Sequence, residues 1–330
     1  MSVAPSEPRR PSRAEVPDDG PAATVLAATI ARRYYFDGAS KSEIAAEVGL
    51  SRFKVARVLE RARSTGLVRI ELHYEGEIDL ELSVRLARRL GIARCLVIDT
   101  PDQDETHLRA ALGRVAAGLL AETTTADDVL GLAWSRTLMA MRSSLTGMAP
   151  CAVVQLSGAL SRPDVDEGSI ELVRRVAAIT GGPAYCFYAP MLVPDAETAR
   201  SLRAQPEVAS AMARFSELTT AIVSIGAWLP GHSTVADAVS DTEFHLDLGL
   251  GACAEVCGIQ LDRDGEVVRS KVSERVIGID AVQLSAVPEI IAVAYGRAKA
   301  EAVRAAVKAR FATSLVTHAS LAHELLTDLA

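Results

Sequence analysis

The segment Lys41 to Glu60, KSEIAAEVGLSRFKVARVLE, has the residue types and spacing to read a nucleic acid. A helix-turn-helix needs a small residue where its helices cross, a turn residue that tolerates positive φ, and an apolar residue on the second helix that packs back on the first. Ala45, Gly49 and Val55 stand at those places, and Ile44, Val48, Leu50, Val58 and Leu59 supply the remaining core positions. Ser51 is placed to N-cap the second helix and leave its first turn facing a phosphate or a base edge. Arg52, Lys54 and Arg57, with Ser51 and Phe53 beside them, are then the candidates to reach DNA. An Arg reads guanine bidentately, whereas a Lys more often finds phosphate. Arg61, Arg63 and Arg69 would add backbone contacts. The alternative is a helical hairpin used for dimerisation, with these basic residues as a solvated face.

A second constellation is GLAWSRTL, residues 131–138. A strand ending at Ala133 and a helix starting near Ser135 leave free backbone N–H groups and a positive helix end between them, which suits an anion. Ser135 and Thr137 add hydroxyls and Arg136 a charge. An ordinary strand-to-helix turn with a Ser cap would look the same. Gly158 and Gly226 follow apolar strands, where they allow either close ligand approach or sharp turns.

The elements that must position these groups fall into a head and a body. Residues 1–21 contain five prolines without apolar periodicity and read as a disordered tail. Residues 22–75 form the winged helix-turn-helix: an apolar helix through Phe36, a turn at Asp37–Gly38–Ala39, helices from Ser40 to Val48 and Ser51 to Thr65, a stop at Gly66, and an alternating strand or wing from Leu67 to His73. Residues 76–92 hold Ile78, Leu82, Leu86 and Leu90 at four-residue spacing, an amphipathic linker helix whose stripe would also serve an interdomain or subunit contact. Residues 93–330 alternate Val- and Ile-rich runs with helical patterns. Strands are expected at Cys95 to Ile98, Val129 to Ala133, Ala152 to Leu156, Ala221 to Ile225, Ile290 to Ala294 and Ser314 to Thr317. Helices include Glu105 to Ala121, Glu167 to Thr180 and Gly296 to Arg310. This is the pattern of a mostly parallel α/β sheet covered on both faces.

Charge follows the same division. The chain carries a net −7, yet Thr24 to His73 holds nine Lys and Arg against five Asp and Glu, a basic head on an acidic body. The uncharged stretches Val176 to Pro194 and Leu218 to Ala236 are broken by Gly, Pro and polar residues, so no membrane span is expected. With no apolar leader before Pro21, a cytoplasmic location follows. Five scattered cysteines fit reduced thiols, and the gap between Cys253 and Cys257 does not suit zinc.

The head, followed by GLAWSRTL, VVQLSGAL, FYAPMLVPD, AIVSIGAW, GACAEVCGIQLDRDG, RVIGID and AVAYGRAKAEAV, resembles the SorC/DeoR-type sugar-binding transcriptional regulators over roughly residues 24–328. The resemblance implies a body similar to ribose-5-phosphate isomerase and glucosamine-6-phosphate deaminase. It implies a phosphorylated sugar or related effector that controls the affinity of a homotetramer or homodimer for double-stranded operator DNA. It also assigns Gly131 and the Ser135–Thr137 turn to the effector phosphate, with Gly more common in the family where Ser135 stands, and Lys299 as a second phosphate contact. Tyr295 replaces a family Gly, and His318 replaces a family Asp, where it would either make the site pH-sensitive or, as expected here, cap the following helix. Asp262, Asp264 and Gly265, with Glu255 upstream, could accept sugar hydroxyls, although Asp-Arg-Asp-Gly is the more ordinary signature of a hairpin turn.

No catalytic set is visible, since Glu255, Asp262 and His318 share no motif that holds them together. For Schiff-base chemistry the body offers only Lys271, Lys299 and Lys308. His318 and His323 lie off a common helical face, so neither a metal site nor a cofactor is expected. Two alternatives to the regulator remain: a sugar-phosphate isomerase- or deaminase-like enzyme with a DNA-binding head, and a purely structural oligomeric DNA binder.

Overall fold

Short polar side chains set most helix starts in the computed structural model, which describes residues 20–69, 77–99, 105–160 and 168–327. The chain divides into two compact units, Met1–His73 and Tyr74–Ala330.

In the first unit, α1 (Pro21–Tyr35), α2 (Lys41–Glu47) and α3 (Arg52–Ser64) enclose one small core. The Ser40 hydroxyl accepts from the Glu43 backbone N–H at 3.3 Å while the Glu43 carboxylate accepts from the Ser40 N–H at 2.8 Å, a reciprocal cap that starts α2 one residue later than its apolar pattern suggests. Ser51 caps α3 by accepting from Lys54 N–H at 3.2 Å. Gly49, at φ +66°, makes the turn between these helices in a region where a Cβ is strained. Ile30, Ile44 and Val55 are fully buried against one another, with Ala45 and Leu59 beside them. Each of the three large side chains contributes about 1.5–3 kcal/mol of burial. Arg33 of α1 donates to Glu47 of α2 at 2.9 Å and to Asp37 at 3.1 Å, and it holds the Glu47 carboxyl below its ordinary range. Of the expected tail, residues 1–19 lie outside the described residues, while Gly20 and Pro21 open α1. Of the expected wing, Leu67–Arg69 is not strand and the remainder, 70–73, lies outside the described residues.

The second unit begins with α4 (Leu80–Leu90), β1 (Arg94–Ile98), α5 (Glu105–Thr123), β2 (Val129–Leu132), α6 (Arg136–Met141), β3 (Ala152–Gln155), α7 (Ser169–Thr180) and β4 (Ala184–Tyr185). It continues through α8 (Ala196–Arg203), α9 (Pro206–Met212), β5 (Thr220–Ser224), β6 (Gly226–Ala227), α10 (Asp241–Gly249), β7 (Ala254–Val256) and β8 (Ile259–Leu261). It ends with α11 (Ala281–Ser285), β9 (Glu289–Val293), α12 (Ala300–Lys308), β10 (Ser314–His318) and α13 (Ala319–Leu326).

Seven of these strands form one wholly parallel sheet in the order β1-β10-β9-β5-β2-β3-β4. Its strands read as mainly apolar runs, with polar residues mostly at their ends, because helices cover both faces. The short β6, β7 and β8 make a separate antiparallel sheet that two- and three-residue strands gave no periodic signal to anticipate.

The helix read as a linker over 76–92 is built into this unit instead. Asp79 accepts from Leu82 N–H at 2.8 Å and starts it, Ile78 pairs with Ile98 of β1, and Leu82 and Leu86 are buried in the sheet's own core. The helix expected from Gly296 to Arg310 is a 3-10 turn, Arg297–Lys299, followed by α12.

From β2 the chain moves outward to β3 and β4, then returns to β5 beside β2 and proceeds to β9 and β10 on the opposite side. The carboxyl ends of β2 and β5 therefore flank the reversal of strand order, where open parallel sheets leave a crevice for ligands.

Candidate functional site

In the first unit α3 buries Val55, Leu59 and Ala62 and turns Arg52, Phe53 and Arg57 to solvent, with Lys54 half-buried. Phe53 is 67% exposed, with the Arg52 guanidinium 4.9 Å from its ring centre, so the apolar ring is solvated under a cation and not packed in the core. The residues read as DNA-facing thus stand in the cap and first two turns of one helix, all of them exposed or half-exposed.

In the second unit a turn follows each of the three neighbouring strands β2, β5 and β9. After β2, Ser135 accepts from Leu138 N–H at 3.1 Å and caps α6, Arg136 is half-buried and Thr137 buried. After β5, the Ile225 carbonyl accepts from Lys299 Nζ at 2.9 Å, and Gly226 lies in register with Glu255 of β7. After β9, Tyr295 sets its ring centre 5.2 Å from Lys299 Nζ, while its hydroxyl accepts from Arg109 Nε of α5 at 3.0 Å.

Glu255 accepts from the Ser233 hydroxyl at 3.0 Å and from Gly258 N–H at 2.5 Å. Burial raises its carboxyl above the ordinary range against both of these bonds. Burial also pushes the Lys299 amine down to about 8, with the Glu255 charge opposing that shift. A cavity of about 30 Å³ lies here, lined by Ala133, Trp134, Ser157, Ser224, Thr234 and Glu255 among others. It has room for a water or two, so a carbohydrate enters only as side chains move.

A pH experiment follows from Lys299. Its folded-state pKa lies below the unfolded value, so its burial costs stability below pH 8, and the cost disappears as pH rises toward the ordinary lysine value of 10.5. In thermal melts, wild type should gain on Lys299→Met steadily across that window; a constant difference would contradict it.

Of the residues read as effector-binding, Gly158 lines this cavity with Ala133 and Trp134, which precede the Ser135 turn; Gly226 and Lys299 lie at the end of β5, and Gly131, Ser135, Arg136 and Thr137 are not among the lining residues. The glycines have reasons other than ligand approach. A Cβ on Gly131, within β2, would lie 2.7 Å from Leu156, and one on Gly158 would lie 2.6 Å from the Pro190 backbone. A Cβ on Gly226 would lie 2.9 Å from the Glu255 carboxylate, so this glycine lets the acid lie against the strand.

His318 does not cap α13 with its side chain. Fully buried, it accepts through Nε2 from Gly296 N–H at 2.9 Å and braces the turn before Lys299. Asp262, Asp264 and Gly265 form the hairpin turn: Asp262 accepts from the N–H groups of Asp264 and Glu266, both at 2.9 Å. Among the described residues no cluster of His, Cys, Asp or Glu is fit to hold a metal ion, and no helix is long and apolar enough to cross a membrane. Arg109, Trp134, Ser224 and Thr234 carried no local signal, because only the strand order brings them to the crevice.

Residues 74–327 match the family described as "Putative sugar-binding domain". The chain is 30% identical over 304 residues to the uncharacterized transcriptional regulator YjhU of Escherichia coli K12, covering 89% of this chain and 92% of that one. It is 27% identical over 308 residues to the transcriptional regulator LsrR of Enterobacter sp. strain 638, covering 91% and 92%. The crystal structure of the full-length sorbitol operon regulator SorC from Klebsiella pneumoniae shares the fold, with a TM-score of 0.70 at 23% identity over 92% of this chain and 98% of that one. The chain belongs to the family of transcriptional regulators that carry this sugar-binding domain.

Proposed function

We propose that this protein is a regulator that binds double-stranded operator DNA through α3 and whose operator affinity is set by a phosphorylated sugar or related carbohydrate at the crevice. The observation that carries this reading is a buried carboxyl, Glu255, that shares a cavity at the reversal of strand order with Ala133 and Trp134 and feels the charge of the buried Lys299, in a chain whose other unit presents Arg52, Lys54 and Arg57 on one helix. Hydroxyls and a carboxyl suit a polyol, and the N–H groups of the Ser135–Thr137 turn with Arg136 suit its anionic end. The reading makes the protein a cytoplasmic ligand-responsive switch without turnover. A single α3 reads few base pairs, so specific affinity calls for paired half-sites and a symmetric dimer or tetramer. The effector acts only through its different affinity for DNA-competent and incompetent arrangements, and a coupling of about 1–3 kcal/mol would change operator affinity about 5- to 150-fold.

The test is a thermal-shift screen of sugars, sugar phosphates and polyols, with each hit retested on DNA upstream of the protein's own gene. A ligand that both stabilises the protein and shifts the DNA titration supports the reading; stabilisation without any effect on DNA counts against it. For such a ligand, Arg136→Ala should weaken binding by about 10- to 100-fold, the value of a charge-assisted hydrogen bond, with effector-free operator affinity unchanged. Calorimetric titration of wild type and Arg136→Ala with the same ligand checks this.

A further inference from the structure

We propose that the leucine-bearing helix α10 and the groove beside it are a contact between copies of this chain, a self-complementary patch through which the Tyr74–Ala330 unit pairs about a two-fold axis. The inference rests on the oligomeric reading above and assigns it a surface.

The helix is patterned inside out. A surface helix ordinarily turns its apolar stripe to the core and its charges to water. In α10 the one fully buried side chain is the Asp247 carboxylate, which accepts from Gln260 Nε2 at 2.5 Å. Phe244, its ring centre 5.8 Å from that of Trp228, supplies the rest of the inward contact. The leucines stay outside: Leu246 is 59% exposed, Leu248 45% and Leu250, just past the helix, 58%. Leu229, in the loop after β6, is 41% exposed. Leu229 and Leu248 both line a groove of about 450 Å³, together with Trp228, Ala252, Cys253 and Ala298. An exposed apolar patch of this kind, ringed by polar residues, marks a surface that another molecule covers. Leu246 and Leu250 stand one turn apart on one flank of the helix, while Leu248 faces the groove on the other. An isologous contact sets one patch against its own copy, so a surface that offers both knobs and a hole needs no second kind of partner.

Charge selects the occupant. The body of the chain is acidic, yet the rim of this groove is balanced, with Asp262, Asp264 and Glu301 against Arg263, Arg297 and Lys308. Arg263 pairs with Glu301 at 2.5 Å and Lys308 with Asp264 at 3.1 Å, and Arg297 is exposed one residue before Ala298 of the groove. Two acidic bodies repel each other over most of their surface, whereas a balanced rim lets opposite signs face each other across a two-fold axis. The same balance offers nothing to DNA phosphates or to an anionic membrane, each of which calls for a basic surface. An apolar centre inside a polar rim is also the anatomy of a stable protein contact.

The test is sedimentation velocity on the full chain at about 10 μM, above the weakest dissociation constants of standard-size interfaces. Wild type should sediment as a dimer or tetramer. Leu246→Glu combined with Leu250→Glu should weaken self-association by about a hundredfold or more and cut the mass by about half, because each copy would bury unpaired carboxylates. Its far-ultraviolet circular dichroism should match wild type, since both side chains are exposed in the single chain. Leu246→Met combined with Leu250→Met should keep the wild-type mass. So should Val282→Glu, the same kind of change at a residue of α11 that is 78% exposed. Leu229→Glu, on the loop that also lines the groove, should repeat the loss, which keeps the test decisive if the α10 variant does not fold. A monomeric wild type overturns the proposal and gives the groove to a different partner; so does an unchanged mass in the folded glutamate variants. If the mass falls while operator affinity holds, the contact stands and the paired half-site reading fails. If the mass holds while a carbohydrate shifts operator binding, the contact fails and the regulator reading stands.

Discussion

Operator affinity should fall by about a hundredfold in the double variant Arg52→Ala, Lys54→Ala, with little change in thermal midpoint. The estimate takes the lower half of the range for a base or phosphate contact, about 1–3 kcal/mol for each side chain. Stability is spared because Arg52 is exposed in the first turn and Lys54 only half-buried, the α3 core is made by Val55, Leu59 and Ala62, and the Ser51 cap uses the Lys54 backbone N–H, which alanine retains. A DNA titration at two salt concentrations separates the two roles. Loss of a phosphate contact lowers the salt slope, whereas loss of a base contact lowers the preference for operator over random DNA. Unchanged affinity would assign α3 to the dimer contact that its sequence also allows. Stabilisation by the effector should survive in this variant, since nothing in the Tyr74–Ala330 unit has been altered.

Gly113→Val should lower the thermal midpoint by about 6–12 °C, the equivalent of about 3 kcal/mol of overpacking in a domain of this size. Gly113 is buried in α5 where that helix crosses α6, and a Cβ there would stand 2.7 Å from the Met141 backbone nitrogen and 2.8 Å from the Ala140 carbonyl carbon. Both are main-chain atoms that cannot rotate aside, so the helices must separate. Since α6 opens with the Ser135–Thr137 turn and α5 also holds Tyr295 through Arg109, separation disturbs both sides of the crevice. The variant should therefore lose effector response even at temperatures where it remains folded. A midpoint within about 2 °C of wild type, which is under about 1 kcal/mol, would mean that α5 and α6 part freely and that their contact does not brace the site. Circular dichroism melts with and without ligand decide this.

The sequence by itself determined the elements whose signals are local. Ser40 and Ser51 bond backbone groups three residues away, Gly49 needs only its own missing Cβ, and Ala45 and Val55 fall on facing helical sides by period alone; the helix-turn-helix was legible for those reasons. The six longer strands were equally so, because a parallel sheet buried on both faces is written in mainly apolar runs. The end of α4 was legible and its role was not, since a four-residue Leu stripe states that a face is buried and leaves open against what. Strand order decided that, by placing β1 under α4 and β10 beside it.

The same holds for the crevice. Ser135 could be read from its strand-to-helix turn, yet Glu255 and Lys299 are 44 residues apart in the sequence and become neighbours only because β5 runs into β6, β6 pairs with β7, and β9 lies beside β5. His318 illustrates the limit most directly. Its position before a helix suggested a cap, but a side chain at the end of a central strand meets the turn of the adjacent strand, and the Gly296 N–H there is the stronger claim on its lone pair. Partners fixed by chain proximity are set by the sequence, whereas those fixed by sheet order arise from packing that no local pattern encodes.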